Sequence, residues 1–321
     1  MRMTMPRAGG NKLGAVQRGW LVAGAVALAT GAAYAQTPPT TPPVSPSAAP
    51  AAGPQPAPPQ RYQPPANGRK RILIVAQTLG WHHDSISDAL ATLVKMGQDS
   101  NLYDAEIRTD VEWITKKPLK PMRKNLVQYD AVVFCSTTGE LPLTDEQKAD
   151  LLSFVRDEGK GFVGIHAALD TLYNWPEYGE MIGGWFDGHP WNTFDAPVII
   201  EDPAFPAMKH FKGPALVLKD EMYQPKAWSR EKVNVLMRLD DSKLDYSKAP
   251  KARPDHDFAI AWSKMYGKGR VFYGSFAHSS GTWDIRDIQQ MYFEAIKWAL
   301  GMTPADLKPH AMTGATTEPA R

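Results

Sequence analysis

Short, wholly apolar runs separated by helix-forming segments restrict the fold of this chain more than any other feature. Lys70 and Arg71 precede Ile72, Leu73, Ile74, Val75 and Ala76, and a polar loop follows. Such a run lacks the polar alternation of a half-exposed strand, so it reads as a strand buried on both faces. Residues 103–109 read as a second strand, and residues 129–135 and 162–165 as a third and a fourth, both rich in apolar residues. Between them lie a helix capped by Asp84 or Ser85 and running to about residue 96, and a second helix to about residue 158. The second opens on the capping-box pair Thr144 and Gln147. Alternating strand and helix predicts an α/β fold: a doubly wound, mostly parallel sheet with helices on both faces. The later half offers strands at 196–201, 215–219, 233–239, 258–262 and 270–275, several with no helix between them. Antiparallel additions to the sheet are therefore expected. A closing amphipathic helix over 285–300 ends at Gly301.

Neither end of the chain fits that pattern. Residues 1–35 carry Arg2, Arg7, Lys12 and Arg18 without an acid, then an apolar stretch shorter than the ~20 residues of a bilayer span, then Ala33-Tyr34-Ala35. This reads as a cleaved export signal, which predicts a periplasmic or secreted protein with no stable membrane span after cleavage. The whole chain has 36 Lys and Arg against 34 Asp and Glu. Taking away the four leader cations leaves 32 against 34, a net charge of −2. Nothing then favours nucleic acid as a partner. Residues 36–68 are rich in Pro, Ala and Thr and read as a disordered linker, and residues 309–321 as a disordered tail. One folded unit, 69–308, remains. With one cysteine in 321 residues, an intrachain disulfide framework and cysteine-rich metal sites are excluded.

In a doubly wound sheet, ligands collect beyond the C-terminal strand ends. The polar residues there are Trp81, His82, His83 and Asp84 after the first strand, and His166 and Asp170 after the fourth. Asp220, Glu221 and Tyr223 follow the 215–219 strand, and His278 follows the last. Three strand ends thus deliver histidines to one rim, and a fourth delivers carboxylates. Neutral imidazoles with a carboxylate suit a divalent metal such as zinc, or metal-free acid–base work. A polar residue satisfied at a loop start is the structural alternative for each. His210, His256 and His310 lack the placement and read as structural. His166, flanked by Gly164, Ala167 and Ala168, resembles a nucleophile elbow, which would expose its side chain at the top of the sheet. No Ser, Thr or Cys occupies that elbow, which argues against a triad. Cys135 reads as a buried small hydrophobe. Trp175, Trp185, Phe186 and Trp191, with Trp228 and Trp283, could stack on sugar rings or pack loops onto the sheet.

The folded unit resembles the ThuA-like (trehalose utilisation) family. The matching segments are 71–85 with Trp-His-His-Asp, 134–140 with Ser-Thr-Thr-Gly-Glu, 161–170 with Gly-Ile-His-Ala-Ala, 175–178, 183–190 with Gly-His-Pro, 220–223 with Asp-Glu-x-Tyr, and 261–278. The resemblance implies a flavodoxin-like or class I glutamine amidotransferase-like fold and a role with disaccharides or glycosides, 3-keto sugars included. It places family positions on His83, His166, His189, Asp220, Glu221, Tyr223 and His278. The family's late Gly-His is Ala277-His278 here, a departure at the turn. The expected centre is His83, His166, Glu221 and His278, with the three histidines as metal ligands. Asp170, Trp175, Trp185, His189 and Tyr223 are the expected contacts to a small-molecule sugar. The alternatives are a sugar-processing hydrolase or lyase and a non-catalytic carbohydrate-binding module.

Overall fold

The computed structural model describes residues 66–120 and 123–312. The segment read as an export signal and nearly all of the one read as a linker lie outside the described residues, as do the residues beyond Met312. Within the described part, eleven strands and four helices follow one another. The first half is β1 (Lys70–Val75), α1 (Ile86–Ser100), β2 (Tyr103–Arg108), β3 (Ala131–Cys135), α2 (Asp145–Arg156), β4 (Gly161–Ile165) and α3 (Pro176–Ile182). The second is β5 (Trp185–Gly188), β6 (Thr193–Ile200), β7 (Ala215–Glu221), β8 (Gln224–Lys226), β9 (Asn234–Leu239), β10 (Ala259–Tyr266), β11 (Gly269–Gly274) and α4 (Arg286–Ala299).

Nine strands form one sheet in the order β2-β1-β3-β4-β11-β10-β9-β6-β7, and β5 pairs with β8 apart from it. From β2 to β11 all neighbours are parallel, and from β11 to β7 all are antiparallel. The mixed, mostly parallel α/β sheet expected from the sequence is therefore present. The alternation inside β1 shows why its run has no polar member. Ile72 and Ile74 pack on the side of α1 and α4, while Leu73 and Val75 pack on the side of α2 and α3. All four are fully buried. Each contributes about 1.5–3 kcal/mol that a polar residue would forfeit. The α2 capping box forms as read, with Thr144 Oγ1 accepting from Gln147 N and Gln147 Oε1 accepting from Thr144 N. Among the described residues, no helix is long and apolar enough to cross a membrane.

One departure from a flat sheet sets up the site. β7 lies four strands from β11, which would separate them by about 19 Å at the usual ~4.8 Å spacing. Yet Asp220 Oδ2, on β7, accepts from Ala277 N at 2.7 Å, and Tyr223 N donates to Ser275 Oγ at 2.8 Å. The β6–β7 hairpin must therefore bend back over the strand ends. It is free to do so because β9 pairs only with Val198, Ile199 and Ile200 of β6, while the stretch from Thr193 to Pro197 pairs with β7.

Candidate metal centre

Each candidate ligand comes from the C-terminal end of a strand or from the loop that follows one. His166 follows β4 directly with φ +47°, a left-handed conformation unusual for a side chain of that size. The turn is held by Tyr273, whose hydroxyl donates to His166 O at 2.9 Å. It is elbow-like, as read from the sequence, but its imidazole is fully buried rather than exposed. The loop after β1 brings His83 inward to 2% exposure, while His82 turns outward, its Nδ1 3.2 Å from Thr78 Oγ1. Ser85, expected as a helix cap, instead donates its hydroxyl to Ala277 O at 2.8 Å and ties the β1 loop to the β11 loop. Ala277 takes φ +87°, and His278 follows it. Glu221 ends β7. Its neighbour Asp220 is fully buried and accepts from the backbone N–H groups of both Glu221 and Ala277, fixing β7 against the β11 loop.

These turns bring together one donor atom each from His83, His166, Glu221 and His278, all within 4.8 Å of one another. His166 Nε2 lies 3.2 Å from His83 Nε2, 3.3 Å from His278 Nδ1 and 3.7 Å from Glu221 Oε2. His278 Nδ1 lies 3.2 Å from Glu221 Oε2. Ligands about 2.0–2.1 Å from a tetrahedral zinc stand roughly 3.3–3.4 Å apart, close to these separations.

Protonation fits the same use. His166 Nδ1 donates to Ser275 O at 2.6 Å, which leaves the Nε2 lone pair facing the centre. Burial, then the neighbouring His83, holds His166 well below the usual histidine range. Burial, then His278, lowers His83 to about 4. His83 Nδ1 is buried without a hydrogen-bond partner among the described residues, while its Nε2 faces His166 Nε2. His278 goes the other way: its hydrogen bond to Glu221 raises it above 6.5. Two neutral imidazoles thus face a third that shares a proton with a carboxylate. Metal ligation requires neutral imidazoles, and a set of three nitrogens and one oxygen suits zinc.

The sequence profile of the ThuA family, described as trehalose utilisation, matches residues 71–299. The chain belongs to the ThuA family. Two solved structures share its fold. A ThuA-like protein from Bacteroides uniformis is 19% identical with a TM-score of 0.56, over 72% of this chain and 91% of that one. A ThuA-like protein from Parabacteroides merdae is 16% identical with a TM-score of 0.56, over 78% of this chain and 93% of that one. No curated protein matches the chain.

In this ThuA chain the turn at Ala277, where the resemblance led one to expect glycine, is kept. Ala277 holds a left-handed φ and still donates to Asp220. The likeness to amidotransferases is loose, and Cys135 lies fully buried in β3, its thiol pushed up to about 12 by burial. Among the expected sugar contacts, His189 and Tyr223 lie at the centre. His189 Nδ1 is 3.6 Å from Glu221 Oε1 and 3.0 Å from Asn192 Oδ1. The Tyr223 ring lies 4.4 Å from the His166 ring and 4.2 Å from Phe186. Asp170 accepts from Tyr173 at 2.6 Å, and burial raises its carboxyl. Trp175 is 5% exposed and stacks on Tyr178. Trp185 donates to Leu172 O, and its ring covers Gly179. Trp191 donates to Asp245 O and packs on Phe258. Away from the centre, His210 bonds Asp287 O, His256 pairs with Asp241 and His310 with Glu201. Two contributors went unread in the sequence. Ser275 orients His166 through its carbonyl, and its only signal was its place at the end of β11. Trp81, named in the sequence for its place after the first strand but not among the stacking candidates, is the most exposed tryptophan among the described residues.

Proposed function

We propose that this protein is a divalent-metal-dependent enzyme, exported to the periplasm or beyond, that acts on a disaccharide or glycoside, 3-keto sugars included. The observation that carries the reading is the meeting of His83, His166, His278 and Glu221 donor atoms at the C-terminal edge of the sheet. The family's description as trehalose utilisation supplies the carbohydrate class, and the basic, acid-free leader supplies the compartment. A bound zinc would act as a Lewis acid on a sugar carbonyl or hydroxyl oxygen.

The protein's own residues divide the remaining work. Ser275 O holds the His166 ring in one tautomer. Glu221 presents Oε2 to the centre and Oε1 to His189, whose side chain is 40% exposed. Glu221 thus stands between the centre and an imidazole in contact with solvent, 3.6 Å from its Nδ1. The Tyr223 ring packs against His166, and Phe186 packs on Tyr223 in turn.

The test is metal analysis of protein purified without chelators, followed by turnover assays on glycosides and 3-keto glycosides. Stoichiometric zinc, with metal binding and turnover both lost in His166→Ala, is the expected result. Turnover that survives both chelation and His166→Ala would end the reading. Binding of a disaccharide with no product after long incubation would leave a carbohydrate-binding module instead.

A further inference from the structure

Trp81 is 70% exposed, an unusual state for the largest apolar side chain. Its backbone is held firmly. Thr138 O accepts from Leu79 N at 2.8 Å, Thr138 Oγ1 accepts from Gly80 N at 3.1 Å, and the same hydroxyl donates to Trp81 O at 3.0 Å. Gly139, at φ +79°, lets the two loops approach, and a Cβ there would meet Gly80 N and Leu79 C at 3.1 Å. A rigid loop that keeps an indole in water gives up the burial energy of that ring. The position calls for an occupant.

A cavity of about 270 Å³ lies beside it. Its walls include two of the centre's ligands, His83 and His278, together with Trp81, Asp84, Ser279 and Ser280. The cavity therefore opens directly against two of the centre's four side chains. Its size falls just under the roughly 300–1,000 Å³ of sites for drug-sized ligands, which suits about one ring. Its lining combines one broad apolar face with hydroxyl and carboxylate groups. A pyranose has the complementary surface: a C–H face for the indole and hydroxyls for Asp84, Ser279 and Ser280.

We propose that this cavity is a monosaccharide subsite, with Trp81 as the stacking platform that lays one pyranose ring across the mouth of the centre. The inference rests on the carbohydrate reading above and gives that reading its point of contact. Trp175, Trp185 and Trp191 are taken up in packing and leave Trp81 to make it.

The experiment uses the full chain loaded with zinc. Calorimetry with trehalose and with methyl α- and β-glucosides is run on the parent protein, Trp81→Ala and Trp81→Phe, and zinc affinity is measured on all three. The expected result is sugar binding weakened roughly tenfold or more in Trp81→Ala, largely kept in Trp81→Phe, with zinc affinity unchanged throughout. Equal sugar affinity in Trp81→Ala and the parent overturns the platform and leaves the carbohydrate reading intact. Zinc affinity lost in Trp81→Ala overturns it too, by making the residue a support of the centre. Zinc binding with no sugar binding in the parent overturns the subsite and the carbohydrate reading together, while the metal centre stands.

Discussion

Zinc uptake by the metal-free protein should release one proton, and the histidine environments give the number. Ligation needs three neutral imidazoles. Burial already keeps His166 neutral, and His83 does not protonate until about pH 4. His278 alone holds a proton near neutrality, because Glu221 raises it above 6.5. The raised value favours the protonated form, so proton and metal compete at His278 below it and no longer compete above it. Apparent zinc affinity should be flat above the His278 value. Below it, affinity should fall roughly tenfold, or about 1.4 kcal/mol, for each pH unit down to about pH 4. Three histidines at an unperturbed 6.5 would instead lose roughly a thousandfold per unit. Calorimetry across pH 5–8, in buffers of differing ionisation enthalpy, reads the proton count directly. Glu221→Gln removes the partner that raises His278, so the fall should begin at a lower pH and zinc should bind more weakly throughout. Release of two or more protons between pH 5 and 6 would refute the reasoning, because His83 would then not be the buried neutral ligand described. A pH-independent affinity would refute it equally.

Three further outcomes follow from the turns around the centre. Asp220→Asn leaves one acceptor oxygen for two backbone donors, Glu221 N and Ala277 N. An orphaned buried donor costs about 1–3 kcal/mol, and relief of the buried charge offsets part of it. Urea titration should show a loss at the low end of that range together with weaker zinc binding, and unchanged values in both would remove Asp220 from its tethering role. Ala277→Gly relieves left-handed strain of about 1–2 kcal/mol. It also removes a methyl that is fully buried in the core, worth about 0.8 kcal/mol, and frees the unfolded chain by about 0.4–1 kcal/mol. Thermal melts should therefore show a stability within about 1 kcal/mol of the parent; a loss well above that would mean that the turn carries no strain to relieve. Cys135 should resist iodoacetamide in the folded protein and react only in denaturant, as read by mass spectrometry, because its thiol is fully buried and pushed up to about 12.

The parallel half of the sheet was legible because its strands are locally self-declaring. The apolar runs at β1, β3 and β4 leave no room for another reading, and the Thr144–Gln147 pair marks the start of α2. Residues that fall at strand ends were legible for the same reason, and His83, His166 and His278 were among them. What escaped depends on contacts distant in sequence. β5, β8 and α3 are short, and α3 begins at Pro176 with no capping residue before it. The bend of the β6–β7 hairpin rests on Asp220 meeting Ala277, 57 residues away. The inward turn of His83 rather than His82 rests on the loop between β1 and α1, where neighbouring side chains diverge. The exposure of Trp81 had no deciding local signal, since a tryptophan in a loop reads equally as a stacking surface or as packing until its surroundings are known.

That bend also explains why the centre has a carboxylate. The parallel strands β1, β4 and β11 can supply three imidazoles, which are neutral as ligands and leave the charge of a divalent cation uncompensated in a buried site. Nearest to them in sequence, Asp84 and Asp170 face the cavity mouth and Tyr173 respectively. The antiparallel extension carries a strand out from β11 and returns its end over the starting point, so the outermost strand delivers Glu221 to the middle of the sheet. One carboxylate oxygen then meets His166 and His278, and the other meets His189 near the surface. A single side chain thus sets a negative charge against the centre and reaches toward the surface at His189, and the four-strand extension is what puts that side chain there.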